Sequence, residues 1–116
     1  MGSTIETYNQ KMRKFFDLLI ENEHLNIGVI KSVQEMQEEG TAMHHCVFEM
    51  GYYKRDNTLI LSARDKAGNR IETIEINLET YKIVQSRGVC NSNTAYHEEI
   101  IELINNNMNK IIKKAA

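Results

Sequence analysis

The chain has no apolar run long enough to cross a bilayer. Its first ten residues, MGSTIETYNQ, also lack the basic segment and apolar run of a secretory signal. These two absences predict an intracellular, cytoplasmic protein with no membrane contact. Cysteine is scarce, since only Cys46 and Cys90 are present, and a chain of 116 residues can bury a sufficient core without a disulfide. We therefore expect two free thiols.

The chain also carries little net charge, and its composition is that of a folded protein. A charge of −2 gives no global field that would attract nucleic acid, so charge alone dictates no partner. Hydrophobic residues make up 41% and charged residues 26%, close to globular averages. The length suits one domain, and we take residues 1–116 as that domain.

Apolar residues at helical spacing predict a first helix over residues from about 4 to 22 and a last helix from about 94 to 113. Between them, Ser32 and Glu35 have the spacing of a capping box, which predicts a short helix that ends near Gly40. The helical pattern therefore occupies both ends of the chain.

A further short helix is expected to begin at Thr41 and to end at Gly51. It would carry His44, His45 and Cys46, in the stretch GTAMHHCVFEMGYY. The reactive side chains of this stretch would then lie on a helix.

The pattern changes after residue 57, where TLILSAR, RIETIEINL and YKIVQSR are rich in β-branched and aliphatic residues. Short polar connections between them predict a three-stranded antiparallel meander. The predicted fold class is α+β, with N-terminal helices, this meander, and a C-terminal helix packed on one sheet face. Pairing of Ile76 with Ile83 would place Gln85 and Arg87 on the face that the helices cover, and leave the other face half solvated or in contact with another part of a larger protein.

Cys46 is a candidate nucleophile. Side chains of neighbouring helical residues diverge by about 100°, so His45 cannot act as its base in simple contact. His97 is the better candidate base, with Asn91 or Gln85 to orient its imidazole. The alternative is that Cys46 is a buried apolar residue and His45 a hydrogen-bonded core residue.

The segment QSRGVCN is a candidate binding site where a strand runs into a loop. Arg87 offers a planar donor fork, Gly88 lets a backbone approach closely, and Asn91 both donates and accepts, which suits a phosphate, a carboxylate or a base edge. The alternative is structural, with Arg87 paired to Glu72 across the hairpin and Asn91 capping the last helix.

The chain also contains residue types that zinc prefers. His44 or His45, Cys46, Cys90 and His97 could supply ligands, but no two of them have the spacing of a chelating pair. We therefore expect neither a metal nor another cofactor.

The strand alternation leads to one specific expectation about the centre of the domain. Gln85, buried on the helix-facing side, would need a hydrogen-bond partner, and His45 is the nearest polar group able to supply one. His45 and Cys46 are thus predicted to lie close to Gln85 and Arg87 in the folded chain.

The order EG…MHHCV…Y…LIL…R…T.E…IVQ.RG..N resembles the PcfJ-like family, whose members are encoded on conjugative plasmids, phages and related mobile elements. The matching residues are Gly40, Met43, His45, Cys46, Val47, Tyr52 or Tyr53, Leu59, Ile60, Arg64, Thr73, Glu75, Ile83, Gln85, Arg87, Gly88 and Asn91. The resemblance implies that such a domain usually sits near the C-terminus of a longer protein, and it brings no established reaction.

Two functions from different classes follow from the resemblance and the polar residues together. The first is a binding module, for nucleic acid or for a protein of the transfer or replication machinery, organised around His45, Gln85, Arg87 and Asn91. The second is an enzyme that uses Cys46 or His45 on a nucleotide, an acyl group or an amide bond.

Overall fold

The computed structural model describes residues 2–44 and 56–116, with side chains from Ile5 onward in the first helix. The fold is α+β, as predicted. The helices and strands are α1 (Gly2–Met12), β1 (Leu19–Glu21), β2 (Leu25–Val29), α2 (Val33–Met43), β3 (Thr58–Asp65), β4 (Arg70–Asn77), β5 (Lys82–Arg87), α3 (His97–Asn106) and α4 (Met108–Ala115). Within these described residues, two 3₁₀ turns, Arg13–Phe15 and Val89–Asn91, lie between the helices and strands. None of the described helices is long and apolar enough to cross a membrane.

The described strands form one antiparallel sheet of five, in the order β1-β2-β3-β4-β5. The predicted count of three was therefore wrong, because the first helix ends at Met12 and a hairpin of β1 and β2 follows its 3₁₀ turn. The Asn22 side chain stabilises the hairpin turn, since its Oδ1 accepts from the backbone N–H groups of His24 and Leu25, both at 2.9 Å. In β2, burial alternates with the period of a strand.

α2 begins as predicted, because the backbone N–H of Glu35 donates to the Oγ of Ser32 at 2.9 Å. It does not end at Gly40, however. The helix continues to Met43 and is closed by His44, whose left-handed backbone (φ 53°) directs its N–H to the Gly40 carbonyl. Thr41 is thus inside this helix, and the rest of the helix predicted from Thr41 to Gly51 falls outside the described residues.

The predicted last helix is two helices, α3 and α4. It starts at His97 rather than at about residue 94, and Asn107 interrupts it with a non-helical backbone (φ −117°, ψ 14°). The Asn107 side chain donates to the Leu103 carbonyl at 2.8 Å, which takes the place of a continuing backbone bond at this break.

The predicted pairing of Ile76 with Ile83 is confirmed, and Leu59 pairs with Ile76 on the other side. A β-bulge follows in β5, so that Gln85 lies opposite Glu75 instead of continuing the alternation from Ile83. Because Glu75 and Ile76 are neighbours on β4, they point to opposite faces. Gln85 therefore lies on the face opposite to Ile83, and its predicted placement was wrong.

The sheet is covered on both faces. The first face carries Leu59, Leu61, Ile74 and Ile76, which are fully buried, and α3 crosses it to contact both β1 and β5. The second face carries Ile60, Ser62, Thr73 and Glu75, and α2 packs on it. It was predicted to be half solvated, but Ile60 is 2% and Glu75 5% exposed.

Candidate functional site

A buried carboxylate, Glu72, lies at the centre of the site. It is on the first face of β4, opposite Ala63, and is fully buried. Its Oε1 accepts from the Ser86 hydroxyl at 2.6 Å and lies 2.9 Å from Nδ1 of His97. Its Oε2 accepts from the backbone N–H and the hydroxyl of Thr94, at 2.9 and 2.8 Å. One side chain thereby joins β4 to β5, to the loop before α3, and to the first residue of α3.

These hydrogen bonds keep Glu72 ionised. Burial favours the neutral acid and acts to raise the pKa of Glu72, but the hydrogen bonds from Ser86, Thr94 and His97 together lower the pKa below its usual value. An ionised carboxylate is an acceptor only, so Nδ1 of His97 must carry the proton that lies between them. Among the described residues, no hydrogen-bond partner lies at Nε2 of His97.

His97 borders a groove of about 410 Å³. The groove is lined by all six residues of β5 and, from α3, by His97, Ile101 and Asn105. Consecutive strand residues point to alternate faces, so a cavity can touch all six only if it runs along the outer edge of the strand. The three α3 residues are four apart and form one stripe of the helix. The groove is therefore bounded by a strand edge on one side and a helix stripe on the other.

Two cations stand at the ends of β5, Lys82 and Arg87. Neither forms an ion pair with a described residue. Arg87 lies opposite Thr73, and its guanidinium donates to the Asn93 side chain and to the Ser86 carbonyl, both at 3.1 Å. The predicted pairing of Arg87 with Glu72 was thus wrong, because the bulge turns Ser86 rather than Arg87 toward Glu72.

Gly88 allows a close approach, but to its own chain. A Cβ at this position would lie 2.5 Å from Cγ2 of Thr94 and 3.0 Å from the Ile71 carbonyl oxygen. The N–H of Gly88 also donates to the Ser92 carbonyl at 2.6 Å. Glycine here lets the loop that carries Thr94 fold back onto the sheet and reach Glu72.

Asn91 does not cap the last helix, as one prediction had it. It lies in the second 3₁₀ turn with a left-handed backbone (φ 62°), next to the exposed Cys90, which has φ 55°. The residue that precedes α3 is Tyr96, which makes no side-chain capping bond. Asn91 is also absent from the lining of the groove.

Gln85 is half-buried on the second face and lines the groove. Its Nε2 donates to Oε1 of Glu75, its neighbour across the strands, at 3.0 Å. His45 and Cys46 lie outside the described residues, so their closeness to Gln85 and Arg87 stays a prediction. Of the predicted site residues, the groove brings together His97, Gln85 and Arg87.

A second buried carboxylate, Glu39 of α2, lies on the other side of the sheet. Its Oε1 accepts from the Ser62 hydroxyl at 3.0 Å and from Nε of Arg70 at 2.9 Å, and its Oε2 accepts from the Thr73 hydroxyl. Glu39 is fully buried, and its polar partners all come from β3 and β4. This cluster fixes α2 to the second face of the sheet.

Sequence reasoning missed Glu72, although a signal for it was present. Glu72, Ile74 and Ile76 alternate along one strand, which places the carboxylate on the same face as two core isoleucines. A carboxylate so placed must find several hydrogen-bond donors. No sequence pattern indicated that Lys82 and Ile101 would line the groove, because the groove exists only through the way in which α3 lies beside β5.

Within residues 2–44 and 56–116, no three His, Cys, Asp or Glu side chains lie close enough together to hold a metal ion. His44, Cys90 and His97 therefore form no three-ligand cluster within this part of the chain.

Comparison with known proteins supplies a family. The model of the PcfJ-like protein family matches residues 3–101, which is more than half of the chain and includes Glu72, β5 and the start of α3. Searches of curated proteins and of solved structures gave no match. By the extent of the family match, the chain belongs to the PcfJ-like protein family.

Proposed function

We propose that this PcfJ-like domain is an interaction module of a mobile genetic element, which binds a protein of the transfer or replication machinery in the groove beside β5. The observation that supports this most directly is the groove itself, because a strand edge and a helix stripe together offer backbone hydrogen bonds and side-chain contacts to one ligand. The residues that would contact the partner are Lys82, Gln85, Arg87, His97 and Ile101.

A protein partner suits this groove better than a nucleic acid does. Single strands of nucleic acid are held by aromatic side chains on which bases stack, together with a basic channel. Among the residues that the structure describes, the groove lining contains no aromatic residue other than the His97 imidazole, and the whole chain carries a net charge of −2. Ile83, Val84 and Ile101 instead offer apolar surface to a peptide.

Selection from a random library of twelve-residue peptides displayed on phage tests this function. The domain is immobilised as wild type, as Ile101→Arg, which fills the groove, and as Ile112→Arg. Ile112 is 41% exposed on α4, outside the groove, and serves as the matched control. Thermal unfolding of all three establishes that they fold.

We expect peptides to be enriched on the wild type and on Ile112→Arg, and the enrichment to be lost on Ile101→Arg. Equal enrichment on all three proteins, or none on any, would contradict the proposed function. An oligonucleotide library run in parallel tests the alternative partner, and enrichment there that depends on Ile101 would replace the protein partner by a nucleic acid.

The Glu72–His97 pair supports a second candidate, a hydrolase. A carboxylate that holds one imidazole nitrogen leaves the other to act as a general base, and Cys46 would be the nucleophile. The test is alkylation by iodoacetamide at neutral pH in a Cys90→Ser background, since Cys90 is exposed and would react itself. The enzyme requires Cys46 to react faster than an ordinary thiol and more slowly after His97→Gln. If Cys46 is alkylated only when the protein unfolds, it is not the nucleophile, and the hydrolase candidate is excluded.

A further inference from the structure

The shape of the groove points to the kind of segment that occupies it. Building on the proposed binding function, we propose that the ligand is an extended peptide with acidic residues four apart, which joins the sheet as a sixth strand beside β5. The proposal depends on the backbone edge of β5, on the spacing that the bulge imposes, and on the two cations at the ends of the strand.

The edge of β5 is suited to receive a strand. Among the described residues, β5 pairs with β4 alone and is therefore an edge strand, and all six of its residues line the groove. A strand of six residues is about 20 Å long, and the α3 stripe from His97 to Asn105 extends about 12 Å beside it. An added strand could form backbone bonds to β5 while its side chains on one face contact Ile101.

The bulge sets the spacing of the ligand residues. On the side of β4, the partners of Lys82 and Arg87 are Asn77 and Thr73, which are four apart although Lys82 and Arg87 are five apart. A regular strand on the outer side would meet the same geometry. Its residues opposite Lys82 and Arg87 would be four apart and on the second face, and the residues between them would alternate between the two faces.

Charge then selects the residues. Lys82 and Arg87 favour acidic residues at the two positions opposite them, whereas Glu72 already balances the charge that His97 carries when protonated. Ile101 and Ile83 favour apolar residues at the positions that face α3. The expected core is acidic, apolar, any residue, apolar, acidic.

A second copy of this chain is a poorer occupant of the edge. If two β5 strands paired antiparallel about a twofold axis, Lys82 of each would lie opposite Arg87 of the other, which places like charges together twice. An acidic segment of another protein avoids this repulsion.

The test uses a fluorescein-labelled eleven-residue peptide with the core Glu-Val-Thr-Val-Glu between serine and glycine flanks, titrated with the whole chain and followed by fluorescence anisotropy. One comparison peptide has Lys in place of both Glu residues. Another has two consecutive N-methylated residues in the core. Neighbouring N–H groups of a strand point to opposite sides, so this peptide loses a bond to β5 in either orientation.

We expect the Glu peptide to bind at least roughly tenfold more tightly than either comparison peptide. Lys82→Glu should lower the affinity for the Glu peptide and raise the affinity for the Lys peptide, because it reverses the charge at one end of the groove. Lys31→Glu is the matched control, since Lys31 is exposed and lies between β2 and α2, outside the groove, and should leave both affinities unchanged. Both substitutions are at the surface, so the variants should fold.

Several results would overturn the proposal. They are equal binding of the Glu and Lys peptides, binding that N-methylation does not affect, tighter binding of a twenty-nucleotide oligo(dT), or sedimentation of the protein alone as a dimer through β5. If the library yields peptides that depend on Ile101 while the Glu peptide does not bind, the binding function stands and the acidic strand is wrong. If neither binds, both proposals fail.

Discussion

Two glutamates, Glu39 and Glu72, are fully buried on opposite faces of one sheet, and both use both carboxylate oxygens. Glu39 is held by a guanidinium and two hydroxyls. Glu72 is held by a backbone N–H, two hydroxyls and an imidazole. The partners of the two glutamates differ in whether they can take part in chemistry or binding beyond the buried cluster. Arg70 is bound to Glu39 as a permanent cation, whereas His97 has a second nitrogen and lines the groove.

The difference shows that burial of a carboxylate alone does not mark a functional site. Both glutamates join a helix to the sheet, so each has a structural role. The Glu72 cluster also borders the groove, through His97 and Ser86. The comparison predicts that changes at Glu39 affect stability alone, whereas changes around Glu72 affect both stability and the groove.

The largest loss of stability is expected for Glu39→Ala. It removes the carboxylate that Arg70 and two hydroxyls share on the second face, and breaking a buried ion pair of this kind costs about 3 kcal/mol, at the lower end of the usual range because Arg70 is partly exposed. Urea unfolding measures the free energy, and Glu38→Ala, an exposed change on the same helix, should stay within about 0.5 kcal/mol of wild type. A loss as small as that of Glu38→Ala would show that Glu39 does not anchor α2.

Glu72→Gln should have the next largest effect. The amide keeps the shape of the side chain but loses the charge that strengthens four hydrogen bonds, and we expect a loss of about 2 kcal/mol in the free energy of unfolding. Nδ1 of His97 would also lose its ionised acceptor, so the imidazole should redistribute between its tautomers. Nitrogen NMR of the imidazole detects this change. Glu102→Gln, an exposed change on α3, is the control. If the His97 tautomer is unchanged in Glu72→Gln, Glu72 does not determine which nitrogen of His97 carries the proton.

Gly88→Ala should destabilise the same cluster through packing. The added Cβ would lie 2.5 Å from Cγ2 of Thr94, which forces the loop away from Glu72 at a cost of about 1–3 kcal/mol. Thr94→Ser removes Cγ2 but keeps the hydroxyl that donates to Glu72, so the double variant should recover part of the loss. Urea unfolding of the two single variants and the double variant gives the coupling, and strict additivity would contradict the assigned clash.

The smallest expected effect is on the pH dependence. The pKa of Glu72 is lowered on folding, so between the folded and unfolded values the unfolded chain binds more protons and stability rises with pH. The contribution is complete above the unfolded pKa of about 4.3 and is lost as the pH falls through the folded value. The free energy of unfolding of Glu72→Gln should therefore decline less steeply than that of wild type below pH 5 or so. Parallel curves would show that Glu72 is not the group responsible.

The sequence predicted those parts of the fold that depend on local pattern. The Ser32 cap and the pairing of Ile76 with Ile83 follow from residue type and alternation, and both are confirmed. β1 was missed because Leu19 and Ile20 fit a helical period as well as a strand period. The α2 end was misplaced because Gly40 is buried within the helix instead of closing it.

The site was predictable to a smaller extent. His97 was expected as a candidate base, but its carboxylate partner comes from β4, and no local pattern indicates which strand α3 will cross. The placement of Gln85 failed for a single reason, since nothing in YKIVQSR indicates that one residue of β5 will be left unpaired.

That unpaired residue decides which side chains of β5 face the core. Val84 is 56% exposed, so most substitutions there should be tolerated. If Val84 paired regularly with β4, Ser86 would turn away from Glu72 and Gln85 would take its place on the first face; removing Val84 would instead leave Ile83 and Ser86 on that face and keep the bond to Glu72. Relatives that keep the Ser86–Glu72 bond should accordingly either have an unpaired residue of variable type at this position or lack the residue altogether.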